Sequence, residues 1–498
     1  MEASEAGASG AVVPATKRPA YQEWRVLFAI VAVTVIAMIA ALMGTRGMDP
    51  LRADSASYIV FDPSRTVGYP AFIGLVRLLT ANPALVVPAQ IILLAASLIT
   101  LGRSFYDYTR RPLLTVAFQI VLISGVELWK LSMVLLTEAL AGALVAFWCA
   151  QLLQVLRAPK MSRIAVLVAL AALATMVRPA FVALFVATGV AAIVACPQLP
   201  RGRALGLIVA GFLVSWGATP VGQYLAHGSF ESTSPFARGV LQHTLFCEQP
   251  RTITDPDSQF VERSAAPARR YVADAPPEFR SSLERTYSGQ LRFGWIIPSL
   301  VRAHGMTAGW QSDPIMARIA GERVRANPSC YAGSVLAADL RMLTYGSSAK
   351  AAGLREYLSE HPPAVVSAAP MPPADARDAL RAAHLFHAEP AFEVPPPFKS
   401  EDRNPAFLML LARILFTTAA VIGALALIAL PFRAKLHPKV AQVVPLAAVA
   451  GAAFHGALVV TSIVELGLSR YCAPLWPLMA VLTYVLFIGG RSRDSWEA

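Results

Sequence analysis

The chain has 498 residues, of which 56% are hydrophobic and 15% charged, with a mean hydropathy of +0.53 and a formal net charge of +12. Values this apolar exclude a soluble globular fold for the chain as a whole. The positive balance does not indicate nucleic acid, because Lys and Arg stand in small groups beside apolar runs and form no basic stripe or nucleic-acid motif.

Apolar runs long enough to cross about 30 Å of hydrocarbon lie at 26–43, 84–102, 113–129, 134–156, 164–177, 180–196, 205–222, 405–430, 441–464 and 471–490, which predicts ten spans. A polar N-terminal region with Glu2 and Glu5 precedes the first run, which is too long for a signal peptide and reads as an uncleaved span. Alternate connections are basic: Lys17 and Arg18; Arg103, Arg110 and Arg111; Arg157, Lys160 and Arg163; Arg201 and Arg203; Arg433, Lys435 and Lys439; Arg491 and Arg493. The positive-inside rule assigns these segments and both termini to the cytoplasm. The fifth and sixth runs meet at Arg178-Pro179, and a tight hairpin there keeps every later loop in agreement with the charge pattern.

Three regions follow: an N-terminal membrane module over 1–222 whose first extracytoplasmic loop is 44–83, an extracytoplasmic insert over 223–404, and a C-terminal membrane module over 405–498. The insert is rich in Pro, Arg, Asp and Glu and has no stretch apolar enough to span. Its visible patterns are helical: Ile315, Ile319, Val324 and the run Tyr331 to Leu343 recur at three-to-four spacing, while Pro362, Pro363, Pro370, Pro372, Pro373 and Pro395 to Pro397 mark loops. Of five cysteines, Cys149, Cys196 and Cys472 belong to spans or their ends, and Cys247 and Cys330 are the two in the insert. An oxidising compartment favours a Cys247–Cys330 disulfide over two free thiols. The fold class is therefore an all-α polytopic membrane protein: a bundle of about 10 transmembrane helices with a mainly helical extracytoplasmic insert.

A transporter buries ionisable groups near the midplane, but here the deep spans hold chiefly Gln90, Gln119 and His455. His455 lies among Ala447, Gly451, Ala452 and Gly456, a small-residue stripe suited to close helix packing. The charged candidates Asp54, Arg65, Glu138, Arg178, Glu465 and Arg470 map to extracytoplasmic helix ends or the loops beside them. That distribution describes a site at one membrane surface.

Several pieces follow one another with this shared sidedness. They are Asp54 with Tyr58 four residues on, Arg65-Thr-Val-Gly-Tyr69-Pro70-Ala-Phe72, Thr137-Glu138-Ala-Leu140, Val177-Arg178-Pro179, and Ser469-Arg470-Tyr471 with Pro474 and Pro477. The stretch Ala320 to Tyr331 adds a further piece. Together they resemble the GT-C-fold glycosyltransferases that use polyprenyl-phosphate sugars, the superfamily of bacterial aminoarabinose, mannosyl and galacturonosyl transferases. The resemblance covers most of the membrane region and little of 223–404.

The resemblance implies transfer of a sugar from a polyprenyl-phosphate donor to a lipid-linked, glycan or protein acceptor, in a bacterial inner membrane and among its lipids. It implies Asp54 as the base that takes the acceptor's proton. Asp49 and Asp62 compete for that role, Asp62 preceding Pro63 as a turn residue does. A prenyl phosphate is a stable leaving anion that benefits from fixed positive charge, and Arg65, Arg178 and Arg470 are the phosphate-binding candidates. Snorkelling arginines at helix ends look the same one at a time. Glu138 heads a helix, where it complements the dipole, orients a sugar hydroxyl or helps hold a metal. Tyr58, Tyr69 and Tyr471 are substrate-binding candidates, with anchoring at the headgroup level as the alternative for the first two. From Tyr69 the positions Phe72, Ile73, Val76 and Leu79 share one face, as in an interfacial helix walling a lipid groove. No His or Cys cluster supports a cofactor metal, and Asp54 is followed by Ser where many relatives carry a second acidic residue. The rival reading is a lipid or polysaccharide flippase or transporter.

Overall fold

The computed structural model describes residues 20–46, 54–80, 82, 85–195, 198–228, 230, 236–248, 255–289, 291–292, 296–307, 309–343, 406–464 and 469–488. The expectations for Asp49, Glu465, Cys196, the N-terminal Lys17 and Arg18, the C-terminal arginines and the prolines from 362 to 397 fall outside these residues. The described residues are helical and contain no strand.

In chain order the helices are α1 (Ala20–Gly44), α2 (Ser55–Ile59), α3 (Gly68–Leu79), α4 (Val86–Thr109), α5 (Pro112–Ile123), α6 (Val126–Ser132), α7 (Thr137–Arg157), α8 (Met161–Val177), α9 (Ala183–Val190) and α10 (Arg201–His227). The insert contributes α11 (Phe236–Thr244), α12 (Pro256–Asp274), α13 (Pro277–Gly289), α14 (Ile297–Ala303), α15 (Asp313–Ala326) and α16 (Pro328–Leu343). The chain then returns through α17 (Ala406–Ala429), α18 (Pro438–Val464) and α19 (Trp476–Ile488), the last preceded by a 3-10 turn over Ser469–Leu475.

The described parts of the ten apolar runs are mainly helical, and among the described residues seven helical segments are long and apolar enough to cross a bilayer: those of α1, α4, α7, α10, α17, α18 and the turn-plus-α19 unit. The pair α5 and α6 makes an eighth if counted as one span, bent by 52°. Of the expected ten, seven or eight are of full length among the described residues, and α8 and the Pro179–Ile193 segment are shorter apolar helices.

The bend between α5 and α6 has an identifiable cause. Gly125 lies against the indole of Trp476, where an added Cβ would come within 2.9 Å of the ring. The carbonyls freed by the break are taken by indoles: Trp476 Nε1 donates to Val121 O at 2.8 Å, and Trp129 Nε1 donates to Ile123 O at 3.0 Å. Apolar surroundings demand such partners, since no water is at hand.

The path of α8 to α10 answers the Arg178-Pro179 question. Arg178 ends α8 beside the loop that carries Arg65, where Thr66 Oγ1 donates to Val177 O at 3.1 Å. α10 reaches the same loop near its C-terminal end, with Thr219 Oγ1 accepting from Val67 N at 3.3 Å. Thr219 lies about 27 Å along α10 from Arg201 at 1.5 Å per residue. The segment between must therefore run back along the bundle, which makes α8 and α9 a hairpin.

The bundle core is built around α7, whose small residues Ala139, Ala141, Ala143 and Ala146 are fully enclosed and admit close neighbours. α17 and α18 touch at Gly423 and Gly451, where a Cβ on either would meet the other's backbone. One turn on, His455 Nε2 donates to Ala420 O at 2.9 Å, which makes it a packing histidine. The insert has its own core, including Leu241, Val261, Leu283, Ile297 and Ile319. The last of its described helices, α16, also belongs to the bundle: Met342 is enclosed in the main core, and Tyr331 donates to Ile463 O at 3.2 Å. Cys247 and Cys330 form a disulfide that ties the end of α11 to this docking helix.

Candidate active site

The loop between α1 and α3 is fixed from several sides. Ser55 Oγ donates to Leu135 O at 2.8 Å, joining the start of α2 to the turn before α7. Phe61 turns the chain with a left-handed φ of 53°, a conformation uncommon for a non-glycine residue. Its carbonyl accepts from His227 Nε2 at 2.9 Å, and Gln223 Nε2 donates to Asp62 O at 3.2 Å. Asp62 takes the backbone N–H of Ser64 at 2.8 Å, closing an Asx turn. Asp62 is therefore a structural turn residue with its carboxylate turned inward.

Beyond this turn the chain passes α8 at van der Waals limits. A Cβ on Gly68 would stand 2.6 Å from the carbonyl carbon of Met176, so only glycine lets α3 begin this close to α8. Pro70 follows in the first turn, where its missing N–H is harmless. α3 buries Tyr69, Ile73 and Val76 and leaves Leu75, Leu78 and Leu79 exposed. Leu79 thus lies on the outer face, and the enclosed stripe runs through Tyr69 instead.

Seven of the sequence-derived residues converge here. Arg65 Nη2 binds Asp54 Oδ1 at 2.8 Å, Arg470 Nη2 stands 3.5 Å from Asp54 Oδ2, Arg470 Nε lies 4.0 Å from Glu138 Oε1, and Arg178 Nη1 lies 3.4 Å from the same oxygen. The order Arg65, Asp54, Arg470, Glu138, Arg178 is a chain of alternating charge with a cation at each end. Three guanidiniums face the two carboxylates of this chain, and Asp62 adds a third negative charge beside Arg65. Tyr471 lies between two of the cations, its ring centroid 4.8 Å from the Arg178 guanidinium and 4.9 Å from that of Arg470. Arg470 Nη2 also donates to its hydroxyl at 2.9 Å. Tyr58 supports the other end: Arg65 sits 4.5 Å over its ring, and Arg65 Nε donates to Ser57 Oγ at 2.8 Å.

The backbone that positions these groups follows from local chemistry. Arg178 precedes a proline and adopts φ −144°, ψ 119°, the extended geometry that a following pyrrolidine ring enforces. Its side chain leaves the helical path and turns to Glu138. That carboxylate is the second residue of α7, and its side chain is only 4% exposed. At a buried helix N-terminus it is favoured by the dipole and by two guanidiniums. Exposure along the chain of charges is highest at Asp54, 36%, and Arg470, 37%, so the open side of the cluster is at this pair.

Burial pulls the proton affinity of the Asp54 carboxyl upward, but the charges of Arg65 and Arg470 outweigh it and hold it below the ordinary 3.8. Burial pushes the Tyr58 phenol above its usual value, so it stays protonated. Two donors of the cluster are enclosed without a hydrogen-bond acceptor, Arg178 Nη1 and Arg470 Nε.

Tyr69 departs from its expected role as a substrate or headgroup contact. It is fully enclosed, donates to Gln90 Oε1 at 2.9 Å and meets Tyr58 edge-on at 5.2 Å. Its inward face on α3 makes it a support beneath Tyr58. Gln90 was legible only as a deep polar residue, yet its amide also donates to Ser132 O at 2.7 Å and Val134 O at 2.6 Å. It thereby ties α3 and α4 to the loop carrying Glu138. Ser57, Gln223 and His227 likewise carried no motif, and their signal was only the shared end of the bundle. Among the described residues no group of three His, Cys, Asp or Glu side chains is arranged to hold a metal, and Arg470 already bridges the carboxylates of Asp54 and Glu138. Comparison of the chain with protein-family models, with curated proteins and with solved structures finds no match in any of the three.

Proposed function

We propose that this chain is a glycosyltransferase of the GT-C kind, moving a sugar from a polyprenyl-phosphate donor to a lipid, glycan or protein hydroxyl by one inverting displacement. The observation that carries this reading is the alternating chain of charges at one end of the bundle, open at Asp54 and Arg470, in which the guanidiniums of Arg178 and Arg470 stand 3.4 to 4.0 Å from their carboxylates. Such guanidiniums match the oxygens of a phosphate group. The basic connections at the other ends of the helices support an extracytoplasmic position, in a bacterial inner membrane.

In this reading the acceptor hydroxyl donates to Asp54, which takes the proton as the acceptor oxygen bonds to the anomeric carbon. The bond from that carbon to the phosphate oxygen breaks, and the prenyl phosphate departs as an anion held by Arg178 and Arg470. Asp54 is a weak base while two guanidiniums hold it. A phosphate that engages Arg470 draws that cation's field away and leaves the carboxylate more basic when the donor is in place. Inside the bundle Gln90, Gln119 and His455 are hydrogen-bonded to neighbouring groups, which favours an enzyme over a transporter.

The test is incubation of membranes containing the protein with a panel of radiolabelled prenyl-phosphate sugars. Label passing to an acceptor with the native chain and not with Asp54→Asn supports the reading. Movement of labelled donor between leaflets without transfer from any donor would replace it with the transporter.

A further inference from the structure

A second polar feature lies near the start of α1. Gly44 packs against Met133 next to the candidate site. Glu23 lies about 30 Å back along α1 at 1.5 Å per residue, roughly the thickness of the bilayer hydrocarbon. There α1 and α4 form a partly open cavity of about 170 Å³ lined by Glu23, Trp24, Leu27, Ile30, Arg103 and Tyr106. Val26, Ile30 and Tyr106 form a small apolar cluster of their own, apart from the main core.

Three properties of this cavity point to a ligand. The Tyr106 side chain is enclosed in a residue only 4% exposed, and its hydroxyl has no hydrogen-bond partner; a buried O–H without an acceptor is a costly state that a ligand oxygen relieves. The ionised groups balance: Arg110 binds Glu23 at 3.1 Å and Asp107 at 3.5 Å, and Arg103 lies 3.5 Å from Asp107. The lining itself holds one carboxylate, Glu23, and one guanidinium, Arg103. Trp24 is 69% exposed, as for an aromatic residue at the headgroup level.

We propose that this cavity binds the headgroup of a zwitterionic phospholipid with a primary ammonium, of the phosphoethanolamine kind. The phosphate accepts from the Tyr106 hydroxyl and the Arg103 guanidinium, and the ammonium donates to Glu23. A neutral set of side chains matches a headgroup of zero net charge, whereas an anionic lipid leaves one negative charge uncompensated. A quaternary ammonium has no N–H to give Glu23, which separates phosphoethanolamine from phosphocholine.

The experiment reconstitutes the full-length protein in vesicles containing equal parts of phosphatidylethanolamine, phosphatidylcholine and phosphatidylglycerol, releases it in mild detergent and counts retained lipid by native mass spectrometry. One phosphatidylethanolamine is expected to be retained in about tenfold preference to the other two. Tyr106→Phe and Arg103→Gln are each expected to lower that retention about tenfold, as for loss of a charge-assisted bond, with the thermal midpoint unchanged. Should either variant fold poorly, Glu23→Gln at its half-exposed position is expected to erase the preference over phosphatidylcholine. Equal retention of phosphatidylglycerol, or unchanged lipid selection in the folded variants, overturns the proposal.

Discussion

The insert and the end of the bundle each contain a cluster of arginine and glutamate, and the two use their donors differently. In the insert, Arg323 is fully enclosed and donates to Glu262 Oε2 at 2.9 Å, to Thr244 O at 2.9 Å and to Thr244 Oγ1 at 3.3 Å. Arg269 donates to Leu245 O at 2.9 Å and pairs with the same Glu262. These contacts satisfy carbonyls at the end of α11, which a helix terminus otherwise leaves open. At the bundle end the ion pairs involving Arg178 and Arg470 are 3.4 to 4.0 Å long, and the N–H groups facing Glu138, on Arg178 Nη1 and Arg470 Nε, make no hydrogen bond. The first cluster is held by hydrogen bonds and the second by longer-range charge pairing.

That contrast can be broken most forcefully at Asp54. Asp54→Asn keeps the shape of the loop and removes the proton acceptor, and sugar transfer is expected to fall by roughly 10²- to 10⁴-fold with expression unchanged. Transfer at the native rate removes Asp54 as base. In the insert the corresponding change is Arg323→Ala, which opens the Thr244 carbonyl and leaves Glu262 to Arg269 alone. Loss of about 1–3 kcal/mol of stability is expected, read as a lowered thermal midpoint, with the donor concentration for half-maximal rate unchanged in protein that remains folded. A shift in donor dependence there erases the distinction between the clusters.

Smaller effects sharpen it. Arg178→Ala and Arg470→Ala are each expected to raise the donor concentration for half-maximal rate by about 10- to 100-fold, the range for a lost hydrogen bond to a charged group. An unchanged donor dependence counts against phosphate binding. Gly68→Ala pushes α3 away from Met176 and is expected to cost about 1–3 kcal/mol, with lowered transfer at unchanged Arg178. A neutral result shows that the loop can shift freely. The smallest effect is that of acid. Because the folded-state proton affinity of Asp54 is depressed, its contribution to loop stability is present above its ordinary value of 3.8 and is lost only as pH falls through the lower folded value. The free enzyme's rate profile is therefore flat with respect to Asp54 between about pH 5 and pH 8. An acid limb from that carboxyl near pH 6 contradicts the pairing with Arg65 and Arg470.

Much of the site was legible because membrane chemistry restricts where charge can stand. Sidedness grouped Asp54, Arg65, Glu138, Arg178, Glu465 and Arg470, the resemblance picked five of them as site residues, and Arg178-Pro179 carried its own backbone instruction. The supports were not legible, since a glutamine such as Gln90 declares its polarity but not which of three neighbouring segments it will tie. Tyr69 looked equivalent to Tyr58 in the sequence, and only the direction of α3 separates an enclosed phenol from one that faces a cation. The hairpin at Pro179 was legible from the charge pattern, while the shortness of α8 and of the segment after it is a matter of length and not of apolarity. The docking of α16 was hidden as well, because Met342 belongs by sequence to the insert and by packing to the bundle.

Pro179 has a consequence for how charge is delivered to a membrane surface. With an ordinary residue there, α8 could wind onward, and each added helical residue would swing its side chain by about 100° around the axis, carrying the guanidinium of Arg178 off its bearing on Glu138. The ring forbids that continuation through steric contact alone, without calling on any partner that binding or turnover must release. The aim of the cation is therefore inherited from covalent stiffness, and it persists whether the cleft is empty or filled.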